Sequence, residues 1–255
     1  MSPSFNIVRR SRLRGLVDDA LWLGRKYPMI HCLTEFDITL LRQQLKAHRK
    51  TTGERISINV FFIRAMALLA AETPEIHAIR WGNRRLAVFD QVDVFVPMEL
   101  KQNGEGVLVP YLVREADRKN CKEIQSRLEQ VQQSGSLPLD SLQQSFTKLP
   151  TWLRRLIYQI WMAYPPYAQR IFGTVSVSAL NMGHHRGWGI GVPFHPLSLY
   201  IGSAFPLPSP TQGHMLCITL SADHRIMDGM PLVRLAKRLA DCVETQRGIE
   251  RILTG

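Results

Sequence analysis

The residues best suited to chemistry stand together near the C-terminal end, in the stretch CITLSADHRIMDGMPLVRLAKRLADCVE. An apolar run ends at Ser221. A polar turn then carries Asp223, His224, Arg225, Asp228 and Gly229, and a helical pattern begins at Pro231. A histidine changes charge near neutral pH, so one held at a strand end in a charged turn is suited to take and return a proton. On residue types alone, a structural histidine satisfied by its Asp and Arg neighbours is the simpler reading.

Other reactive residue types form no comparable group. Cys32, Cys121, Cys217 and Cys242 lie far apart, with no CxxC pair, and read as free thiols in a reducing compartment. Cys217 and Cys242 look like small core residues. His184 and His185 are adjacent, which does not aim two imidazoles at one metal from a regular element, so no metal site is expected. Gly187, Gly189 and Gly191 make a GxGxG run without the strand before and helix after that a phosphate loop needs.

The elements that must position the His224 turn follow from periodicity. Residues 11–26 carry apolar side chains at helical spacing, and 29–36 read as a strand. Asp37 looks like the cap of a helix broken at Thr51, Thr52 and Gly53. Residues 57–71 are apolar on most faces and predict a buried helix that Pro74 ends. Residues 86–98 and 107–113 read as a strand pair, 120–133 as an amphipathic helix and 134–140 as a loop. Strands are expected over 173–180, 198–205 and 214–221, with a last helix over 231–244. Between them, TWLRRLIYQIWMAYPPYAQRIF sets aromatic residues along a helical pattern broken at Pro165 and Pro166. That stripe fits a core or subunit-contact helix, a lid over a pocket or an interfacial membrane helix. Packing is the default, because the lysine-rich polar face of a membrane helix is missing. Helices and strands mix without strict alternation, which predicts an α+β domain on a mixed sheet.

Composition sets the outer bounds. The chain has 255 residues, 45% hydrophobic and 21% charged, enough for one large core and unlike a disordered or fibrous chain. The net charge of +11 invites a nucleic-acid reading. Apart from Arg9, Arg10, Arg12 and Arg14 and the pair Arg154 and Arg155, the basic residues are scattered, and no zinc-ligand spacing or RNP motif accompanies them. A solvated basic surface is the plainer reading, one that attracts anionic substrates. The basic N-terminus lacks the apolar stretch of a secretory signal, and no run reaches bilayer length. A cytoplasmic protein that binds neither nucleic acid nor membrane is expected.

Asp223-His224-Arg225-x-x-Asp228-Gly229 resembles the DHRxxDG motif of the dihydrolipoamide acyltransferases, the acyltransferase components of 2-oxoacid dehydrogenase complexes. Four more blocks resemble that family in the same order: HCLTEFDITLLRQQLKAHR, INVFFIRAMALLAAETPEIHA (His77 where asparagine is usual), VDVFVPMELKQNGEGVLVPYLVREADRKNCKEIQSRL and GTVSVSALNMG. The resemblance covers nearly the whole chain. It implies a single catalytic domain over 1–255 with the fold of chloramphenicol acetyltransferase, a two-layer sandwich in which helices cover a mixed β-sheet. Residues 1–10 would form a basic arm, and 134–172 a connection longer than the family's.

By that resemblance, His224 acts as general base on a thiol, and Ser178 donates a hydrogen bond to the oxyanion. Ser176 lies two residues away on the same sheet face and takes that role if the register shifts by two. Asp228 orients the histidine loop, with Arg14 as its candidate salt-bridge partner and Arg225 as structural support. The chemistry is coherent. A thiol has a pKa of roughly 8.5 and reacts as thiolate, so a neutral imidazole takes the proton as attack begins. A fixed hydroxyl at the developing oxyanion contributes on the order of 3 kcal/mol. Coenzyme A or acyl-CoA is then a substrate, no metal is needed, and the acceptor is either lipoamide on a separate lipoyl or carrier protein or free CoA. A homotrimer, or a larger assembly of trimers, is implied, with histidine and serine meeting between subunits. Two alternatives stay open: a silent scaffold for a dehydrogenase-type complex, and CoA-dependent transfer to a small alcohol or amine, as in chloramphenicol acetyltransferase. Asp223 sides with the lipoamide branch, because the chloramphenicol enzymes usually have histidine there.

Overall fold

The computed structural model describes residues 6, 12–102, 105–134, 146, 148–180, 185–192, 194–207 and 213–254. The rest of the basic arm, most of 135–147 and His184 lie outside the described residues, as does the side chain of Arg14. In chain order the elements are α1 (Arg12–Gly24), β1 (Met29–Asp37), α2 (Thr39–Thr52) and α3 (Ile58–Glu72), then a 3-10 turn (Pro74–His77). The short strands β2 (Ile79–Trp81) and β3 (Arg85–Ala87) precede β4 (Val94–Gln102), β5 (Glu105–Val113) and α4 (Cys121–Ser134). After these come α5 (Thr151–Ala163), α6 (Pro165–Phe172), β6 (Val175–Ala179), β7 (Leu197–Pro206), β8 (His214–Asp223), α7 (Gly229–Glu244) and α8 (Gln246–Thr254).

Six strands form one sheet in the order β1-β8-β7-β6-β4-β5, with β6 parallel to both of its neighbours and every other pair antiparallel. The expected α+β mixed sheet is therefore what the chain builds. Along β6, β7 and β8 the side chains alternate. Val175, Val177, Leu197, Leu199, Ile218 and Leu220 enter the main core with α3, α7 and α8. Their neighbours Ser176, Ser178, Ser198, Tyr200, Thr219 and Ser221 therefore point to the other face, where all six are buried. Helix α3 is buried nearly all round, as its sequence predicts, and Ser57 caps it by accepting from the Val60 amide at 3.3 Å.

Several boundaries differ from those expected. Residues 86–98 are not one strand: β3 ends at Ala87, and the chain leaves the sheet until Val94. The buried Asp93 carboxylate fixes that bend, accepting from the Glu115 amide at 2.8 Å and from Arg114 at 2.7 Å. Helix α7 starts at Gly229 rather than Pro231, with Asp228 at its N-cap position. Helix α8, with Ile249 and Ile252 buried, was not expected at all.

The 151–172 segment forms the helix pair α5–α6, broken where Pro165 opens the second helix. It is tied to α1 by an ion pair sealed from water. The Arg154 Nε donates to Asp19 at 2.7 Å, and Asp19 is fully buried. The outer face of α5 leaves Trp152, Leu156 and Ile160 exposed at four-residue spacing. Gly173 then leads into β6 with φ of 72°, a left-handed conformation. A Cβ there would lie 2.5 Å from the Asp93 carbonyl oxygen, so no other residue makes this entry without a shift.

Candidate active site

Strand β8 delivers His224 one residue past its end, and Asp223 organises the turn that follows. The Asp223 carboxylate accepts from the Arg225 amide at 3.0 Å and grips the Arg225 guanidinium through Nε and Nη2 at 2.9 and 2.5 Å. Its carbonyl accepts from the Ile226 and Met227 amides, which winds the chain into a tight turn. Asp223 is wholly buried, so this pairing also neutralises a carboxylate that burial would otherwise penalise. The Arg225 guanidinium lies over the Tyr27 ring, 4.6 Å from its centroid. Burial pushes the Tyr27 phenol up to about 12, against the opposing pull of Arg225, so the hydroxyl stays protonated. The His224 amide donates to the Pro28 carbonyl at 2.8 Å and pins the turn to the start of β1.

This frame leaves the His224 side chain half exposed. Its Nδ1 lies 3.4 Å from the Asp228 carboxylate, an ion-pair distance on an i, i+4 spacing. A carboxylate on that side favours the tautomer with its proton on Nδ1, which frees Nε2 to act as a base. Asp228 itself is largely exposed, and its described contact is with His224. The expected Arg14–Asp228 bridge falls on a side chain outside the described residues.

Ser178 lies elsewhere on the sheet. It is 9% exposed on β6, opposite Tyr200 of β7, which in turn faces Thr219 of β8. His224 is five residues beyond Thr219, so standard sheet spacings put the two positions about 19 Å apart within one chain. Arg225 and Asp228 are thus brought to His224, and Ser178 is not. Ser176, 6% exposed, points to the same face as Ser178 and faces Ser198. The Ser198, Ser221 and His31 positions continue that row across the sheet, and His31 Nδ1 is 2.7 Å from the Ser221 hydroxyl. Nearby residues carry no cation cluster: among the described residues, no group of three or more His, Cys, Asp or Glu is placed to hold a metal ion.

Comparison with known proteins decides the family. Residues 4–145 match the sequence model of the 2-oxoacid dehydrogenases acyltransferase (catalytic domain) family, which is more than half of the chain. The chain belongs to this acyltransferase family. A curated relative, the dihydrolipoyllysine-residue acetyltransferase component of the pyruvate dehydrogenase complex of Rickettsia bellii, is 27% identical over 128 residues. Those residues are 50% of this chain and 29% of that protein, so the domain spans less than a third of the relative it matches. In fold, the acyltransferase domain is similar to the Azotobacter vinelandii dihydrolipoamide acetyltransferase, with TM-score 0.72, 18% identity and coverage of 99% and 95% of the two chains. The 2-oxoacid dehydrogenase catalytic core of Thermoplasma acidophilum gives 0.66 at 14% identity, covering 94% of this chain and 98% of that one. Chloramphenicol acetyltransferase gives 0.50 at 17% identity, covering 94% and 99%.

Three features of the domain escape sequence reasoning. Tyr27 beneath Arg225 has no motif. The Asp19–Arg154 pair joins residues 135 positions apart. His77, noted only as an unusual residue for its block, is fully buried with Nδ1 2.8 Å from the Thr174 hydroxyl. The signal for it was the departure from asparagine in its block.

Proposed function

We propose that this domain moves an acyl group between coenzyme A and a second thiol such as dihydrolipoamide, by direct thiol attack on a thioester. His224 Nε2 takes the proton of the attacking thiol as its sulfur bonds to the thioester carbonyl carbon. The carbonyl electrons move onto oxygen, where the Ser178 hydroxyl donates a hydrogen bond. Collapse of the tetrahedral species breaks the bond to the departing thiolate, which recovers the proton from His224. No acyl-enzyme forms and no metal takes part. Asp228 holds the imidazole in the reactive tautomer, and Arg225 keeps the turn in place through Asp223.

The observation that carries this reading is an exposed imidazole with a carboxylate on its Nδ1 and no fixed partner for Nε2 among its described contacts. The Azotobacter relative supports the role set: its crystal structure served to study a serine, a histidine and an asparagine in catalysis, with the last two also four positions apart. Ser178, His224 and Asp228 offer the corresponding chemistry here. Because His224 and Ser178 stand about 19 Å apart in one chain by sheet geometry, the site is completed by a second copy. A homotrimer, alone or in a larger assembly, fits that need. The acyltransferase family region then acts as one catalytic domain whose 134–172 connection departs from the family pattern, with a lipoamide thiol as acceptor. A cytoplasmic site of action fits, and among the described residues no helix is long and apolar enough to cross a membrane.

The direct test is acetyl transfer from acetyl-CoA to free dihydrolipoamide by the wild type and by His224→Ala. Transfer by the wild type that is lost in the variant, with assembly size unchanged, supports the reading. No transfer by the wild type with acetyl or longer donors would overturn it.

A further inference from the structure

Behind the His224 turn lies a cavity of about 300 Å³, near the lower end of the range that holds small ligands. One wall is the turn itself, through Asp223, Arg225 and Ile226. Helices α5 and α6 contribute Met162 and Phe172, and Arg80 and Asn83 line it from the β2–β3 hairpin. His224 itself is not among the lining residues, although its neighbours Asp223 and Arg225 are.

The lining is divided by polarity. Met162, Phe172, Phe194 and Ile226 make an apolar body, with the Phe172 and Phe194 rings edge to face at 5.5 Å. The charged groups are Arg80 and Arg225 against Asp223, a net single positive charge. Arg225 is already paired with Asp223. Arg80 is not: its Nε donates to the Gly82 carbonyl at 2.9 Å and its Nη2 to Asn83 Oδ1 at 3.4 Å, both uncharged acceptors. Among the described residues no carboxylate balances it. A guanidinium presents five donors in a fork that matches a carboxylate, and these two bonds leave part of that fork unused.

We propose that this cavity binds a small carboxylate with an apolar body, its charged end on Arg80 and its body against Met162, Phe172 and Phe194. The inference goes beyond the transferase reading, and only the acyl-group source of the ligand rests on it. The ligand chemistry has two sources: a free carboxylic acid, or the distal carboxylate of a dicarboxylic acyl group.

Titration calorimetry on the full chain with 3-phenylpropionate and with its uncharged amide is the test. The acid binds at least tenfold more tightly than the amide in the wild type. Arg80→Met removes that preference, and Met162→Trp, which fills the cavity, weakens both compounds at least tenfold. Arg80 is half-buried and its two hydrogen bonds stay within the β2–β3 hairpin, so its variant keeps the wild-type melting profile. Equal binding of acid and amide, no binding of either, or a preference that survives Arg80→Met would each overturn the proposal. Rates with adipoyl-CoA and hexanoyl-CoA separate the sources. A loss confined to adipoyl-CoA in Arg80→Met marks the acyl end as ligand, and unchanged rates beside lost acid binding mark a free acid. Acid binding by a protein that transfers no acyl group leaves this inference standing and overturns the transferase reading instead.

Discussion

In the proposed mechanism His224 and Ser178 carry different parts of the barrier, and their substitutions separate accordingly. General acid–base catalysis contributes about 10²–10⁴-fold, so His224→Ala lowers kcat for acetyl transfer by that order and leaves the fold intact, because the ring is half exposed. Loss of one oxyanion donor costs about 10²–10³-fold in kcat, which Ser178→Ala shows and Ser176→Ala does not. Steady-state kinetics on the three variants checks both, and the reverse order for the two serines would move the donor role to Ser176. The sequence alone leaves these serines unresolved, because a step of two keeps both on one sheet face. At the same scale, two histidines make the domain acid-sensitive. Burial holds His77 and His195 down to about 4, whereas the unfolded chain titrates near 6.5. The unfolded state therefore binds more protons between those values, and stability falls as pH drops from 6.5 towards 4. Each imidazole accounts for up to about 3 kcal/mol at pH 4, at 1.36 kcal/mol per pKa unit. Urea unfolding across pH 4–7 measures this. His77→Asn, which keeps a side-chain nitrogen for Thr174, flattens the profile.

Helices α5 and α6 are where the sequence reads helical content correctly and leaves the packing open. Their aromatic stripe is compatible with core, lid or interface. The deciding contact is the buried Asp19–Arg154 pair, which docks α5 on α1 and which no local pattern reveals. Arg154 also donates to the Leu149 carbonyl at 2.7 Å, and Arg155 approaches Asp19 at 3.4 Å. Removing Arg154 leaves the buried Asp19 carboxylate with only the longer contact to the partly exposed Arg155, so Arg154→Met costs about 3 kcal/mol. The double variant Asp19→Leu, Arg154→Met recovers much of that, because it leaves no orphan charge. A urea series on the two single variants and the double one checks the coupling, and additive losses would contradict it. Elsewhere the legible elements are those with a strong period. Helix α3 and strands β6, β7 and β8 are visible as apolar runs, whereas α8 is short and its two buried isoleucines sit in a charged tail. The single strand expected over 86–98 fails because Asp93 spends its carboxylate on the bend, a tertiary effect that residue propensities do not carry.

Across the whole molecule, the fold was legible from five motif blocks in order, and the family match and the mixed six-stranded sheet agree with them. The site was legible only in part. The motif names His224 and Asp228, but the distance from His224 to Ser178 emerges only once register is known: Ser178 against Tyr200, Tyr200 against Thr219, and His224 five residues on. Under the proposed mechanism one chain keeps base and oxyanion donor apart, and activity is expected only of the assembly. That claim is tested most directly by mixing two inactive variants. His224→Ala retains Ser178, and Ser178→Ala retains His224. Unfolded together in equal amounts and reassembled, they place an intact His224 beside an intact Ser178 at about a quarter of the interfaces of a cyclic trimer. Acetyl transfer at about a quarter of the wild-type rate is expected from the mixture, with each variant alone nearly inactive. A mixture as inactive as its components, with trimers formed and wild type active under the same treatment, would contradict a site shared between subunits.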